Sequence, residues 1–155
     1  MSKHTALNRT PNFGHVRLRR HNLLIIDKTK RVGMPPTLLI VDDSKVSRMM
    51  IRSNVQQLQP GWAVLEAASG EEAVAMVRER APDFITMDVN MPGINGFEAV
   101  EQIRTFNTSA RVAMLTANIQ EASRDRAAAL KVTFVKKPAT ELAIREAMDH
   151  FLAVP

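Results

Sequence analysis

Cysteine is absent from this chain of 155 residues. Disulfide bonds and thiolate metal sites are therefore excluded, and the composition fits a reducing compartment, so we expect a cytoplasmic protein. Long apolar runs are also missing, since no purely apolar run exceeds five residues. A membrane-spanning helix needs about 20 such residues, and a secretory signal needs a longer apolar core than this sequence offers. We therefore expect no membrane association.

Positive charge is concentrated at the N-terminus. Residues 1–35 contain eight Lys or Arg and one acid, a net charge of +7, which leaves −2 for the rest of a chain whose total is +5. We predict a basic extension over residues 1–35, either disordered or translated upstream of a natural start at Met34, and one folded domain over residues 36–155. Contact of the basic extension with nucleic acid is an open alternative.

Beyond residue 36, short apolar runs alternate with longer stretches of helical spacing. The apolar runs predict buried strands, at residues 38–41, 63–65, 84–87, 112–115 and 132–135. The other stretches predict helices, at residues 44–58, 70–81, 96–106, 119–130 and 140–152. This alternation predicts an α/β fold, a doubly wound five-stranded parallel sheet with helices on both faces. Met49, Met50 and Met114 are expected to fill its core.

Polar side chains stand where four of the five predicted strands end. They are Asp42 and Asp43 after the first strand, Asp88 after the third, Thr116 after the fourth and Lys137 after the fifth. The carboxyl ends of parallel strands share one edge of the sheet, where ligands of such folds bind. Each residue alone has a structural explanation, such as a helix cap at Asp43 or a surface position for Lys137. Their shared edge favours a common site.

The gathered acids indicate a cation site. Three carboxylates repel one another unless a cation intervenes, and Mg²⁺ takes one or two carboxylates together with phosphate oxygens. Thr116 offers a hydroxyl and Lys137 a positive charge to further phosphoryl oxygens. A carboxylate can attack phosphorus to form an aspartyl phosphate. The sequence thus predicts phosphoryl chemistry that depends on Mg²⁺.

Four motifs in this order resemble the CheY-like receiver domains of bacterial response regulators, the phosphoacceptor proteins of two-component systems. They are DD at 42–43, MDVNMPGINGFE at 87–98, LTA at 115–117 and KP at 137–138. The resemblance extends from about residue 37 to residue 152. It implies the flavodoxin-like (βα)5 fold with strand order 2-1-3-4-5.

The resemblance also implies the roles of the acidic residues. Asp88 would be the phosphoacceptor. Asp43 and Asp88 would ligate Mg²⁺ directly, Asp42 would do so through water, and Asn90 would contribute its backbone carbonyl.

Four further residues take roles from the same resemblance. Lys137 would bind the phosphoryl group, and Pro138 would follow a cis peptide bond. Thr116 would move towards the phosphoryl group, and Phe134 would be the aromatic side chain whose rotamer follows that movement.

The function that the resemblance implies is that of a single-domain response regulator and not of an enzyme. We expect it to accept a phosphoryl group from a sensor histidine kinase or a phosphotransfer protein, to change conformation, and to signal by docking on a protein. The docking face would combine the fourth helix, the fifth strand and the fifth helix. We expect no output domain, because the last predicted helix ends at residue 152.

Three features depart from the common receiver pattern. Ala139 follows KP where phenylalanine is frequent, which alters the expected partner surface and argues against flagellar motor binding. Leu130 and Lys131 replace a usual glycine before the fifth strand. A non-glycine at positive φ costs about 1–2 kcal/mol, so we expect a turn of different shape. Phe134 lacks the hydroxyl that a tyrosine would offer.

Other functions remain open. A phosphate sink in a phosphorelay would use the same site, and nucleic-acid binding would use the basic extension. An aspartyl-phosphate hydrolase of the haloacid dehalogenase kind needs a second aspartate two residues after the nucleophile as its acid or base, where this chain has Asn90. A nucleotide-binding fold is disfavoured, since DDSKVSR after the first strand contains no glycine.

Overall fold

The computed structural model describes residues 33–118 and 121–153, without the side chains of residues 121–124. Strands and helices alternate in the order β1 (Thr37–Val41), α1 (Lys45–Leu58), β2 (Ala63–Ala67), α2 (Gly70–Arg80), β3 (Phe84–Asp88), α3 (Gly96–Arg104), β4 (Arg111–Thr116), α4 (Glu121–Leu130), β5 (Val132–Lys136) and α5 (Glu141–Leu152). All ten predicted elements are confirmed, with ends shifted by at most two residues. Most of the predicted basic extension lies outside the described residues. No helix within 33–118 and 121–153 is long and apolar enough to cross a membrane.

The sheet is parallel and its strands lie in the order β2-β1-β3-β4-β5, which confirms the predicted doubly wound fold. β1 pairs with both β2 and β3, so that Leu39 lies opposite Leu65 on one side and Ile85 on the other. In folds of this kind the ligand crevice lies where the strand order reverses. Here that point lies between the carboxyl ends of β1 and β3, which lead into Asp42 and carry Asp88.

Two hydrophobic layers cover the sheet, because successive strand residues point to opposite faces. Leu39 and Val41 of β1 pack in the layer of α2, α3 and α4, whereas Leu38 and Ile40 pack in the layer of α1 and α5. All four side chains are fully buried. Full burial of such a side chain contributes about 1.5–3 kcal/mol. The apolar runs that predict the strands therefore also stabilise both layers.

Side-chain caps fix where four of the helices begin. Each cap accepts a hydrogen bond from the backbone N–H three residues further on, and the cap residues are Ser44, Ser69, Asn95 and Thr140. Asn95 and Glu98 form a reciprocal capping box at the start of α3. A cap of this kind contributes about 1 kcal/mol. Since these helix starts follow the carboxyl ends of strands, the caps also shape the loops around the crevice.

Two methionines contradict the predicted core. Met114 is buried as expected, but Met49 and Met50 of α1 are 58% and 45% exposed. The prediction was wrong because α1 turns Ile51 and Val55 towards the core, and helical spacing then leaves the two methionines off the buried face.

The turn before β5 places a non-glycine residue in the left-handed region. Lys131 is exposed and has a φ of 54°, and its N–H donates to the carbonyl of Ala128 at 3.1 Å. The expected change in the shape of this turn is therefore wrong, because the chain keeps the left-handed conformation and tolerates a Cβ where glycine would avoid steric strain.

Replacement of Lys131 by glycine is expected to raise the free energy of unfolding by up to about 1 kcal/mol, because relief of the Cβ strain exceeds the entropy that glycine adds to the unfolded chain. Lys131→Ala is the matched control, since it removes the same charge and keeps the Cβ. Urea unfolding followed by the fluorescence of Trp62, the single tryptophan, measures both variants. Equal stability of Lys131→Gly and Lys131→Ala would show that this turn is not strained.

Candidate functional site

The structure brings the predicted site residues together at the carboxyl edge of the sheet. Asp42, Asp88 and Thr116 are 0%, 3% and 3% exposed, whereas Asp43 is exposed. Lys137 follows β5 and reaches two of the acids. Burial of polar groups is unfavourable unless they have partners. The clustering of buried polar side chains therefore marks this edge as a binding site and not as an ordinary solvent-exposed end of the sheet.

The three carboxylates are close enough to share a cation. One oxygen from each of Asp42, Asp43 and Asp88 lies within 4.8 Å of the other two. Burial raises the pKa of Asp88 and the charge of Asp42 adds to the rise, although Lys137 and the Asn90 N–H oppose it. A cation among these oxygens would relieve the repulsion. The donors are hard oxygen atoms and one carboxylate is open to solvent, which fits Mg²⁺.

Lys137 bridges two of the acids. Its Nζ lies 2.9 Å from Oδ2 of Asp42 and 3.1 Å from Oδ1 of Asp88. Burial alone would lower the pKa of Lys137, but its hydrogen bonds to Asp42 and Asp88 and their charges raise that pKa above its ordinary value. The amine therefore stays protonated beside the Asp88 carboxylate. The peptide bond between Lys137 and Pro138 is cis, as the resemblance implies.

The loop from β3 to α3 folds back on Asp88. The N–H of Asn90 donates to Oδ1 of Asp88 at 3.2 Å, and the N–H of Gly96 donates to the carbonyl of Val89 at 2.9 Å. Gly96 approaches the strand so closely that a Cβ there would lie 2.1 Å from the carbonyl oxygen of Asp88. Asn90 is thereby kept beside Asp88, where the resemblance places a carbonyl ligand.

A charged cluster that the sequence did not reveal supports Asp42. Nη1 of Arg48 donates to the carbonyl of Asp42 at 2.8 Å, and its Nε pairs with Glu66 at 3.1 Å. Arg52 pairs with the other oxygen of Glu66 at 2.6 Å. Burial alone would raise the pKa of Glu66, but the hydrogen bonds from Arg52 and Arg48 lower it below its ordinary value. Strand β2, which has no polar residue at its end, thus anchors the site through Glu66.

The fold and these motifs recur in known proteins. Residues 38–149 match the response regulator receiver domain. The chain belongs to this family. The chemotaxis protein CheY of Bacillus subtilis is 34% identical over 121 residues, which cover 77% of this chain and 99% of that protein. The autoinducer 1 sensor kinase/phosphatase LuxN of Vibrio campbellii is 34% identical over 117 residues, which cover 76% of this chain but only 14% of LuxN.

Solved receiver structures share the fold. Chemotaxis protein CheY4 of Vibrio cholerae superposes with a TM-score of 0.69 at 30% identity, over 76% of this chain and 99% of that one. A chain of the CheX–CheY–BeF3–Mg complex from Borrelia burgdorferi gives a TM-score of 0.72 at 27% identity, over 79% and 92%. Receiver domains are phosphoacceptor signalling switches rather than classical enzymes, and this chain carries such a domain.

In this receiver domain the two expected switch residues, Thr116 of β4 and Phe134 of β5, lie on adjacent strands, and both have partners. The hydroxyl of Thr116 donates to the carbonyl of Asn118 at 3.0 Å and accepts the N–H of Asn118 at 3.2 Å. Phe134 of β5 packs edge-on against Phe97 of α3, with 6.0 Å between ring centroids. Movement of either side chain would therefore exchange existing contacts for new ones.

Proposed function

We propose that this receiver domain accepts a phosphoryl group on Asp88 in a step that depends on Mg²⁺. The observation that supports it most is the position of Lys137, whose amine contacts Asp88 and Asp42 where three carboxylates converge. Asp43 and Asp88 would hold the ion directly, with Asp42 behind a water molecule and Asn90 contributing its carbonyl. When bound, Mg²⁺ supplies positive charge to the phosphoryl oxygens.

The proposed donor is a phosphohistidine of a sensor histidine kinase or a phosphotransfer protein. A carboxylate oxygen of Asp88 attacks phosphorus, the phosphorus–nitrogen bond breaks, and the imidazole leaves with the bonding electrons. The amine of Lys137 then leaves its position between Asp42 and Asp88 and contacts the phosphoryl oxygens. Thr116 releases Asn118 and donates to one of the same oxygens. The test is labelling of the wild type by acetyl phosphate, which should be lost in Asp88→Asn.

The proposed metal site predicts the effect of one acid. Asp43→Ala should weaken Mg²⁺ binding by 10-fold or more, about the loss expected when one carboxylate ligand is removed, and should slow labelling by acetyl phosphate. Without metal the variant should be at least as stable as the wild type, because repulsion among the acids is relieved. Mg²⁺ titration followed by amide NMR measures the affinity, and urea unfolding measures the stability.

Asp149→Ala is the matched control for that substitution. It also removes one exposed carboxylate, but from the last turn of α5, and should leave Mg²⁺ binding unchanged. An Asp43→Ala protein that binds Mg²⁺ like the wild type would refute the ligand role of Asp43.

The proposed output is a protein contact on the face formed by α4, β5 and α5. A phosphoryl group adds about −1.5 to −2 charges to Asp88, and the contacts that neutralise it draw Thr116 inwards. Phe134 can then occupy the space that Thr116 leaves, which shifts the population between two packings. Lys136 is exposed while Lys137 reaches into the site, so β5 presents Lys136 to a partner.

Beryllofluoride, which substitutes for the phosphoryl group, is expected to change amide NMR shifts well beyond the metal site. The changes should spread from Asp88 and Thr116 to Phe134, Lys136 and α5, because β4, which carries Thr116, pairs with β5, which carries Phe134 and Lys136. Thr116→Val keeps the size of the side chain but lacks the hydroxyl, so it should curtail this spread. Shifts confined to the metal site in the wild type would indicate a phosphate sink in place of a messenger.

Exposed apolar side chains support a docking surface for the phosphodonor protein on α1. Val46 is 67% exposed, and Met49 and Met50 follow it on the same helix, just after Asp43. Contiguous exposed apolar residues mark protein contacts. The amide of Asn54 donates to the carbonyl of Ala139 at 3.0 Å, which joins α1 to the loop that carries Lys137. A donor on this surface would face the open side of the site.

We further propose that the phosphoryl chemistry resides in residues 36–155. Every residue that the proposal uses lies in this part of the chain, and the first strand begins at Thr37.

A further inference from the structure

The carboxylate of Asp42 is held more firmly than its neighbours at the site. Its Oδ1 accepts the N–H of Ser44 at 2.9 Å. Its Oδ2 accepts the hydroxyl of Ser47 at 2.6 Å and the amine of Lys137 at 2.9 Å. With the side chain fully buried, these three donors fix both oxygens of Asp42.

The bond from Ser47 is unusual for a serine inside a helix. A helical serine commonly donates to the carbonyl of the preceding turn, whereas Ser47, in the first turn of α1, donates to a carboxylate five residues earlier in the chain. The distance of 2.6 Å falls in the range of charge-assisted O–H···O⁻ bonds, which are about twice as strong as neutral ones. Ser47 is half-buried and its hydroxyl is directed into the site.

Lys137 is expected to leave Asp42 during the proposed reaction, whereas Ser47 is expected to remain bonded to it. Lys137 is shared with Asp88, 3.1 Å away, and the proposed function draws its amine towards phosphoryl oxygens. Ser47 has no part in the proposed reaction and lies in the first turn of α1. When Lys137 turns to the phosphoryl group, Ser47 is the side-chain donor that remains on Oδ2 of Asp42.

We propose that Ser47 is a positioning residue that keeps the Asp42 carboxylate oriented for Mg²⁺ independently of Lys137. This inference rests on the proposed function, because it presupposes the Mg²⁺ site. It also gives α1 a role at the site, because this helix, which begins two residues after Asp43, carries the hydroxyl that donates to Asp42. Removal of a hydrogen-bond partner of a direct metal ligand typically lowers metal affinity by about 10–100-fold, and because Asp42 would act through water we expect a loss at the lower end of that range.

The test is a Mg²⁺ titration of the full chain, without phosphodonor, followed by amide NMR. Ser47→Ala should bind Mg²⁺ about 10-fold more weakly, and Ser47→Thr, which retains the hydroxyl, should restore an affinity close to that of the wild type. In the metal-free protein the amide resonance of Ser44, whose N–H donates to the other oxygen of Asp42, should shift in Ser47→Ala and return in Ser47→Thr. Ser53→Ala is the matched control, since Ser53 is an exposed serine further along α1.

The outcomes separate this inference from the proposed function. Wild-type affinity in Ser47→Ala would overturn the role of Ser47 and leave the Mg²⁺ site intact. Equal weakening in Ser47→Ala and Ser47→Thr would overturn it as well, because the hydroxyl would then not be the cause. A wild-type protein that binds no Mg²⁺ would overturn both. Urea unfolding followed by Trp62 fluorescence confirms that each variant is folded.

Discussion

Asp88→Asn is expected to gain no phosphoryl mass when it is incubated with acetyl phosphate and Mg²⁺, whereas the wild type gains one group. Asparagine has nearly the same shape, but its neutral amide oxygen cannot act as the carboxylate nucleophile. Asp42 should not substitute for it, because both of its oxygens are occupied by donors. Intact-mass spectrometry gives the result directly.

Asp149→Asn, an exposed carboxylate on α5, is the matched control and should label like the wild type. Labelling of Asp88→Asn at the wild-type level would move the phosphoacceptor to another residue.

The same substitution carries a second expected result in the absence of metal. Burial raises the pKa of Asp88, so the folded protein binds this proton more tightly than the unfolded chain does. The stability that the proton contributes is fully present below the unfolded pKa of about 4 and is lost as pH rises through the folded pKa. At neutral pH the ionised Asp88 is therefore destabilising. Asparagine removes that effect, and Lys137 remains paired with Asp42 in the variant.

Asp88→Asn should accordingly unfold at higher urea than the wild type at pH 7 in EDTA. The difference should shrink as the pH is lowered towards about 4. A wild type that is more stable than Asp88→Asn at pH 7 would contradict the unfavourable burial of this charge.

Gly96→Ala is expected to destabilise the protein by about 3 kcal/mol, at the upper end of the usual cost of overpacking. The reason is steric and not conformational, since Gly96 has no positive φ. Its added Cβ would lie 2.1 Å from the carbonyl oxygen of Asp88 and 3.0 Å from Cα of Val89. Backbone atoms cannot move aside as a flexible side chain would, so either α3 or the end of β3 must shift.

The shift also predicts a functional loss, because the displaced backbone carries the phosphoacceptor. Labelling of Gly96→Ala by acetyl phosphate should be slowed even under conditions where the variant is folded. Gly61→Ala is the matched control, since apart from Gly61 and its two chain neighbours no atom lies within 4 Å of a Cβ there, and it should change neither stability nor labelling. Urea unfolding and intact mass measure the two effects. Similar behaviour of both variants would show that the close approach at Gly96 is not required.

The fold was predictable from the sequence because its determinants are local. Apolar runs such as residues 38–41 are buried on both faces of a parallel sheet, so they read as continuous rather than alternating. The polar residues Asp42, Asp88 and Lys137 lie at the carboxyl ends of their strands, and in a parallel sheet these ends share one edge. The convergence of the three carboxylates followed from the same argument, and the structure confirms it.

Other parts of the site depend on side-chain directions that no spacing rule supplies. The Arg48–Glu66 pair joins α1 to β2 across 18 residues, and Ser47 reaches Asp42 across the turn that begins α1. The close approach of Gly96 to Asp88 depends on how the β3–α3 loop folds back. One signal could have indicated the Ser47 contact. It is a serine that follows a strand-end aspartate by five residues and lies in the first turn of the next helix.

The location of the phosphoryl group on the wild-type chain tests the central claim most directly. Borohydride reduces an aspartyl phosphate to homoserine, which marks the modified position permanently. After incubation with acetyl phosphate and Mg²⁺, followed by borohydride and proteolysis, tandem mass spectrometry should find homoserine at position 88 and nowhere else. Omission of Mg²⁺ should remove most of it. Homoserine at Asp42 or Asp43, or none at any position, would contradict the assignment of Asp88.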